Sequence, residues 1–168
     1  MYSLYVKDAL TAIYNRHGFY DELRNRIAKL AGKRKMLFMA SVDLDRLKLI
    51  NDHYGHIEGD FAIRSIAQAI SDTAVAVDGI CARFGGDEYV MCLVEEYDKA
   101  NLTFYENYRQ MLQERIAQID RESGKPYRIG ASCGVIWEEI HGASDIEHIM
   151  KQADDKMYAE LCTVYLLI

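Results

Sequence analysis

The 168 residues are half apolar and about a quarter charged, with a formal charge of −6. That length is one domain's worth and can bury a sizeable core, while no basic tract offsets the acidic balance, which argues against a surface built to coat nucleic acid. Met1–Val6 lacks the basic end and long apolar run of a signal peptide, and the apolar end Thr163–Ile168 is too short to span a bilayer. A cytoplasmic domain without membrane contact is expected.

In chain order, Asn15 reads as the cap of a first helix in which Phe19, Tyr20, Leu23, Ile27 and Leu30 follow helical spacing. Arg24, Arg26 and Lys29 fall on its solvated face, and Gly32 closes it. Met36–Val42 is a continuous apolar run with one Ser, the pattern of a buried strand. It ends abruptly in Asp43-Leu44-Asp45, and Asp45 reads as the N-cap of a short helix, Arg46–Asn51. Tyr54-Gly55-His56 breaks the pattern before a helix over about Glu58–Ser71 with Phe61, Ala62, Ile66, Ala69 and Ile70 on its apolar face. Two strand-like runs, Gly79–Phe84 and Tyr89–Val94, flank Gly85-Gly86-Asp87-Glu88, and paired Gly between such runs marks a hairpin because the turn needs positive φ. A long helix over about Lys99–Asp120, a strand over Arg128–Trp137 and a last helix over Asp145–Glu160 complete the pattern. The cysteines Cys81, Cys92, Cys133 and Cys162 form no Cys-x-x-Cys and read as structural thiols of a reducing compartment.

Strand, helix, strand, strand, helix, strand is the order of a ferredoxin-like split βαβ sheet, so the fold class is α+β, a βαββαβ arrangement with helices flanking a central antiparallel or mixed sheet. In that topology the hairpin tip lies at the same sheet edge as the end of the first strand, which places Asp43 beside Asp87 and Glu88. Carboxylates so gathered repel one another unless a cation or proton sits between them. Hard oxygen donors of this kind suit Mg2+, and a two-metal site clamps the attacking and leaving oxygens of phosphoryl transfer. The plainer reading of the tip alone is a Gly-Gly turn with solvated acids.

The spaced motifs Asp8-x-Leu10-Thr11 with Asn15-Arg16-x-x-Phe19, Asp43-x-Asp45-x-x-Lys48-x-x-Asn51-Asp52-x-Tyr54-Gly55-His56-x-x-Gly59-Asp60, Arg83-Phe84-Gly85-Gly86-Asp87-Glu88-Tyr89, Ser132-Cys133-Gly134-Val135 and Ala153-Asp154 with Met157-Tyr158 occur in one order along nearly the whole chain. Together they resemble the GGDEF domains, diguanylate cyclases that condense two GTP into cyclic di-GMP with release of pyrophosphate. The resemblance implies a single domain over 1–168 with the palm fold of nucleotidyl cyclases. Residues 1–7 would be a linker stub from an upstream sensor domain, and 161–168 an atypical tail. It implies that Asp43, Asp87 and the Leu44 carbonyl bind Mg2+ or Mn2+, two ions per half-site, and that Glu88 is metal-associated and the base for the ribose 3'-hydroxyl. Asn51 and Asp60 correspond to the guanine-reading pair. Guanine offers adjacent N–H donors that a carboxylate matches, whereas adenine would leave Asp60 unpaired, so GTP is the expected substrate. Lys48 and the backbone around Arg46 and Leu47 correspond to the phosphate cradle, with Gly85 and Gly86 next to the substrate. A homodimer is needed, because each domain holds one GTP. His56, Arg83 and Tyr158 are expected to be structural, and Tyr14, Tyr20, Tyr105 and Tyr108 to be core or half-buried aromatics.

The chain departs from that pattern in places. Tyr89 stands for Phe and brings a hydroxyl that needs a partner. Leu47 replaces an aromatic. Leu161 occupies the position of a phosphate-binding Lys, and no Arg or Lys follows Lys156. Each lost charge-assisted contact should weaken GTP binding by about 1.5–3 kcal/mol. The product-inhibition motif Arg-x-x-Asp reads Val75-x-x-Asp78, so no feedback through it is expected. Two functions remain in view: a cyclase of reduced activity, and a GTP-holding regulatory module without turnover.

Overall fold

The computed structural model describes residues 5–166. Strands β1 (Lys35–Leu44), β2 (Ile80–Gly85), β3 (Glu88–Glu96) and β4 (Ala131–Ile140) form one sheet in the order β2-β3-β1-β4, every neighbouring pair antiparallel. β1 and β2 therefore run parallel on either side of β3, and the split βαβ order read from the sequence is the one found. The helices are α1 (Arg16–Lys29), α2 (Leu47–Tyr54), α3 (His56–Val75), α4 (Leu102–Ser123) and α5 (Ile146–Leu166).

β1 is central because both of its faces are apolar. Phe38, Ala40, Val42 and Leu44 meet Ile66 and Ile70 of α3 and Tyr105, Tyr108 and Leu112 of α4. Leu37 and Met39 meet Phe19 and Leu23 of α1 and Ile149 and Ala153 of α5. A strand covered on two sides reads as an unbroken apolar run, and each large side chain so buried contributes about 1.5–3 kcal/mol. Phe38 stacks on Tyr105 with ring centroids 5.0 Å apart. As expected, Tyr105 and Tyr108 are core residues, and Tyr14 and Tyr20 are half-buried.

Several boundaries differ from the sequence reading. The Asn15 side chain caps α1 as expected, accepting from the Gly18 N–H at 2.9 Å. Arg26 is not a free solvated residue: it is half-buried, bonds Glu22 at 2.8 Å and reaches Asp78. Val6 and Lys7 pack into the domain rather than leading away from it. Val6 is buried and its carbonyl accepts the Asn15 N–H at 2.9 Å, while residues 1–4 lie outside the described residues. The expected apolar tail is helical, since α5 runs on to Leu166 with no Gly or Pro to stop it, and residues 167 and 168 lie outside the described residues. Cys81, Cys92 and Cys133 are buried free thiols, but Cys162 is exposed on the extended α5. Among the described residues no helix is long and apolar enough to cross a membrane.

Candidate active site

The end of β1 and the β2–β3 turn make one acidic rim. Asp43 lies directly opposite Glu88 in the β1–β3 register, and the Leu44 N–H donates to the Asp87 carbonyl at 2.9 Å. Opposed residues of an antiparallel pair share a face, so the Asp43 and Glu88 side chains project together. The turn itself is narrower than a Gly-Gly pair suggests. Gly85 pairs with Glu88, leaving Gly86 and Asp87 as the two turn residues, and of the two glycines only Gly86 has positive φ, +38°. A Cβ on Gly85 would meet nothing within 4 Å, so neither turn geometry nor packing demands glycine there. Arg83 braces the turn, donating to the Gly86 carbonyl at 3.0 Å and to Asp8 at 3.2 Å, and Asp8 in turn accepts from the Thr11 hydroxyl at 2.7 Å. Arg83 is structural, as expected. Tyr89, one residue on, is buried, and its hydroxyl finds the Ile63 carbonyl of α3 at 3.0 Å.

Burial, and then the charges of Asp87, Glu88 and Asp45, push the Asp43 carboxyl up to about 7. No cation stands among the groups acting on it. Among the described residues no three His, Cys, Asp or Glu side chains are gathered tightly enough to hold an ion by themselves. The expected three-acid cage is thus not closed by side chains alone. The donor set, carboxylate and carbonyl oxygen with uncompensated negative charge, nevertheless fits Mg2+, which commonly takes one or two carboxylates and fills its other positions with phosphate oxygens and water.

Asp45 does not cap the next helix. Residue 46 is the N-cap of α2, with left-handed backbone (φ 59°), and its side chain makes no capping bond. Asp45 instead ties β1 to the start of β4: its N–H donates to the Gly130 carbonyl at 2.9 Å and its carboxylate accepts from the Ser132 hydroxyl at 2.8 Å. As at any helix start, the N–H groups at Leu47 and Lys48 have no acceptor within α2, and they follow closely on the end of β1. The Lys48 side chain is 89% exposed and turns to Asp52 at 2.6 Å.

Gly55 (φ 90°) is at once the C-cap of α2 and the N-cap of α3. Its N–H donates to Asn51 O at 2.9 Å and its carbonyl accepts the Gly59 N–H at 3.2 Å, so Asn51 and Gly59 lie one turn either side of the bend and face each other. Asp60 follows on α3, half-buried like Asn51. The segment before β4 is anchored to the same corner: Lys125 and Tyr127 both donate to Glu58, the former at 2.8 Å, and the Tyr127 ring lies 5.0 Å from that of Tyr54. His56 and Tyr158, expected to be structural, are both exposed.

Lys151 of α5 lines a hollow with Glu88, but residue 161, where the resemblance implies a phosphate-binding lysine, is Leu. Leu161 lines an apolar groove with Tyr158, Cys162, Tyr165 and Leu166. Tyr165 lines an open hollow of about 430 Å³ with Arg46, Lys48, Leu49, Asp52 and His53 of the α2 region. Lys156 points elsewhere, into a hollow beside the free edge of β4 with Arg109, Gly134 and Glu160. Glu160 accepts from the Cys133 N–H at 2.6 Å and from Arg109. Val75 is 77% exposed, and Asp78 is engaged by Arg26. The roles of Gly130, Ser132, Lys125 and Tyr127 in holding the site were not read from the sequence. Ser132 stood within a matched motif without a role, whereas Lys125 and Tyr127 carried no signal.

A four-stranded antiparallel sheet under helices with acids at the β1 and hairpin ends defines a palm domain of the nucleotidyl-cyclase kind. The family model described as diguanylate cyclase, GGDEF domain, matches residues 5–163, and the chain belongs to that family. It is 35% identical over 153 residues to the diguanylate cyclase VdcA of Vibrio cholerae, covering 90% of this chain and 42% of that protein. To the diguanylate cyclase DgcS of Shewanella oneidensis it is 30% identical over 151 residues, covering 90% of this chain and 48% of that one. The chain thus spans about half the length of these curated relatives. Among solved structures, the coiled coil and GGDEF domain of DgcB from Caulobacter crescentus in complex with c-di-GMP aligns with a TM-score of 0.73 at 27% identity, over 94% of this chain and 81% of that one.

Proposed function

We propose that this domain is a diguanylate cyclase that joins two GTP, one held by each of two facing protomers. The observation that carries the reading is the pairing of Asp43 with Glu88 across β1–β3 beside the Gly86-Asp87 turn, within a chain of this family. Asp43, Asp87, Glu88 and the Leu44 carbonyl would hold Mg2+ or Mn2+, two per half-site, and the metal would neutralise phosphate charge and lower the pKa of the 3'-hydroxyl.

The chain's own residues do the rest. Glu88 takes the proton of the ribose 3'-hydroxyl, because an alcohol is a poor nucleophile until deprotonated. The freed oxygen forms a bond to the α-phosphorus of the other GTP as the bond to pyrophosphate breaks, and a second such step closes the ring. Asp60 and Asn51 read guanine. The open N–H groups at Leu47 and Lys48, beside Arg46, receive the outer phosphates, and Lys48 leaves its weak exposed pair with Asp52 to join them. Gly85, required by neither fold nor turn, leaves room with Gly86 for the substrate to approach the backbone. The Val75 and Asp78 pair provides no product-inhibition site. An upstream sensor domain would set the encounter of the two protomers, in the cytoplasm.

One observation favours a second reading, a GTP-holding regulatory module. Tyr165 lies against Arg46 and Lys48, and Leu161, at the position where the family's lysine is expected, lines the apolar groove that Tyr165 shares. Incubation with GTP and Mg2+ followed by separation of the nucleotides decides between them. The cyclase reading predicts cyclic di-GMP and pyrophosphate from the wild type and none from Asp87→Ala or Glu88→Ala. Retained GTP with no product from any form supports the module.

A further inference from the structure

Gly59 sits in the first turns of α3 with no positive φ and no turn to serve, and glycine inside a helix costs about 1 kcal/mol relative to alanine. Its reason lies in the neighbouring helix. A Cβ on Gly59 would fall 2.8 Å from Asn51 Cγ and closer still to Asn51 Oδ1, whereas the three nearest atoms include no backbone of another element. The carboxamide of Asn51 thus occupies the volume a side chain at 59 would fill. The Gly55 bend sets this up, since its bonds to Asn51 and from Gly59 place one residue on each side of the corner, with Asp60 next in the chain.

We propose that Gly59 is a positioning residue for nucleotide recognition. It holds the Asn51 carboxamide flat against α3 beside Asp60, so that the two present their polar atoms to one base edge, and it does not touch the nucleotide itself. This rests on the reading of Asn51 and Asp60 as the guanine-binding pair. The obstructed group is the end of a side chain, so an added methyl displaces it rather than the helices. Gly59→Ala therefore keeps the fold and turns Asn51 away from its place.

The test is a double-mutant cycle on GTP affinity, with melting temperature as a check on folding. Gly59→Ala is expected to melt no lower than the wild type and to bind GTP about tenfold more weakly, the effect of losing one or two neutral hydrogen bonds. In an Asn51→Ala background, where no carboxamide remains to be displaced, the same change should have no effect on affinity. Equal weakening in both backgrounds would show that residue 59 meets the nucleotide directly and would overturn the proposal, as would unchanged affinity in Gly59→Ala where Asn51→Ala itself weakens binding. A nucleotide-free measurement separates this from failure of the guanine assignment. The Asn51 side-chain NH2 signals in a 15N spectrum, identified by their loss in Asn51→Ala, must shift in Gly59→Ala. If they stay in place the positioning claim falls. If they shift while Asn51→Ala and Asp60→Ala bind GTP normally, the positioning stands and the guanine reading falls.

Discussion

Asp43 is the residue on which the site's charge problem falls. Burial first, then Asp87, Glu88 and Asp45, raise its carboxyl to about 7, well above an ordinary aspartate. The folded state therefore keeps this proton to higher pH than the unfolded chain does. As pH rises from about 4 to about 7 the unfolded chain gains relative to the folded one, and above about 7 the full penalty is in place. Asp43→Asn, neutral throughout, should melt above the wild type at pH 8 and show no such advantage at pH 4. The gap should be a few degrees, since about 2–4 °C accompanies each kcal/mol at this size. Adding Mg2+ at pH 8 should raise the wild-type melting temperature and not that of the variant. Melting below the wild type at pH 8 in metal-free buffer would contradict this electrostatic account. The sequence already pointed to Asp43, because an acid ending a buried strand needs a reason. It misplaced Asp45, whose identity as a good cap outweighed any local sign that Ser132, far along the chain, would claim its carboxylate.

At the scale of elements, the close approach of α5 to β4 depends on Gly134. A Cβ there would lie 2.7 Å from the Lys156 carbonyl carbon and nearer still to Met157 N and Ala153 O, all backbone. Unlike the carboxamide over Gly59, these atoms cannot rotate aside. Gly134→Ala should cost about 1–3 kcal/mol, seen as a lower urea midpoint at unchanged slope. A neutral result would mean that α5 does not rest on the sheet as described. The elements themselves were largely legible: β1 from its unbroken apolar run, the hairpin from its glycines, α3 and α4 from their apolar faces. Boundaries slipped where tertiary bonds decide them. β4 begins at Ala131 rather than Arg128 because Tyr127 is drawn to Glu58, the Ile129 N–H to Asp120, and the Gly130 carbonyl to Asp45. Hydrophobic alternation carries no trace of those bonds.

At the scale of the whole molecule, the proposed cyclase departs from the family pattern at the end of α5. The extended helix brings Tyr165 against Arg46 and Lys48 and leaves Leu161 in an apolar groove, so the outer phosphates would find one ammonium fewer. Restoring it by Leu161→Lys should tighten GTP binding by about tenfold or more, with the gain shrinking as salt is raised. No gain at low salt would show that residue 161 stands too far from the phosphates. The sequence showed the missing charge but not that the tail is helical, because a short apolar end without Gly or Pro is compatible with either state.

The proposed cyclase needs two protomers facing each other, since a single domain holding one GTP would have nothing to condense it with. The initial rate of cyclic di-GMP formation, measured at saturating GTP and Mg2+ over a wide range of protein concentration, tests this most directly. A rate rising more steeply than the first power of protein concentration is predicted, with no product from Glu88→Ala at any concentration. Strict proportionality down to the lowest concentrations, or product from Glu88→Ala, would contradict it.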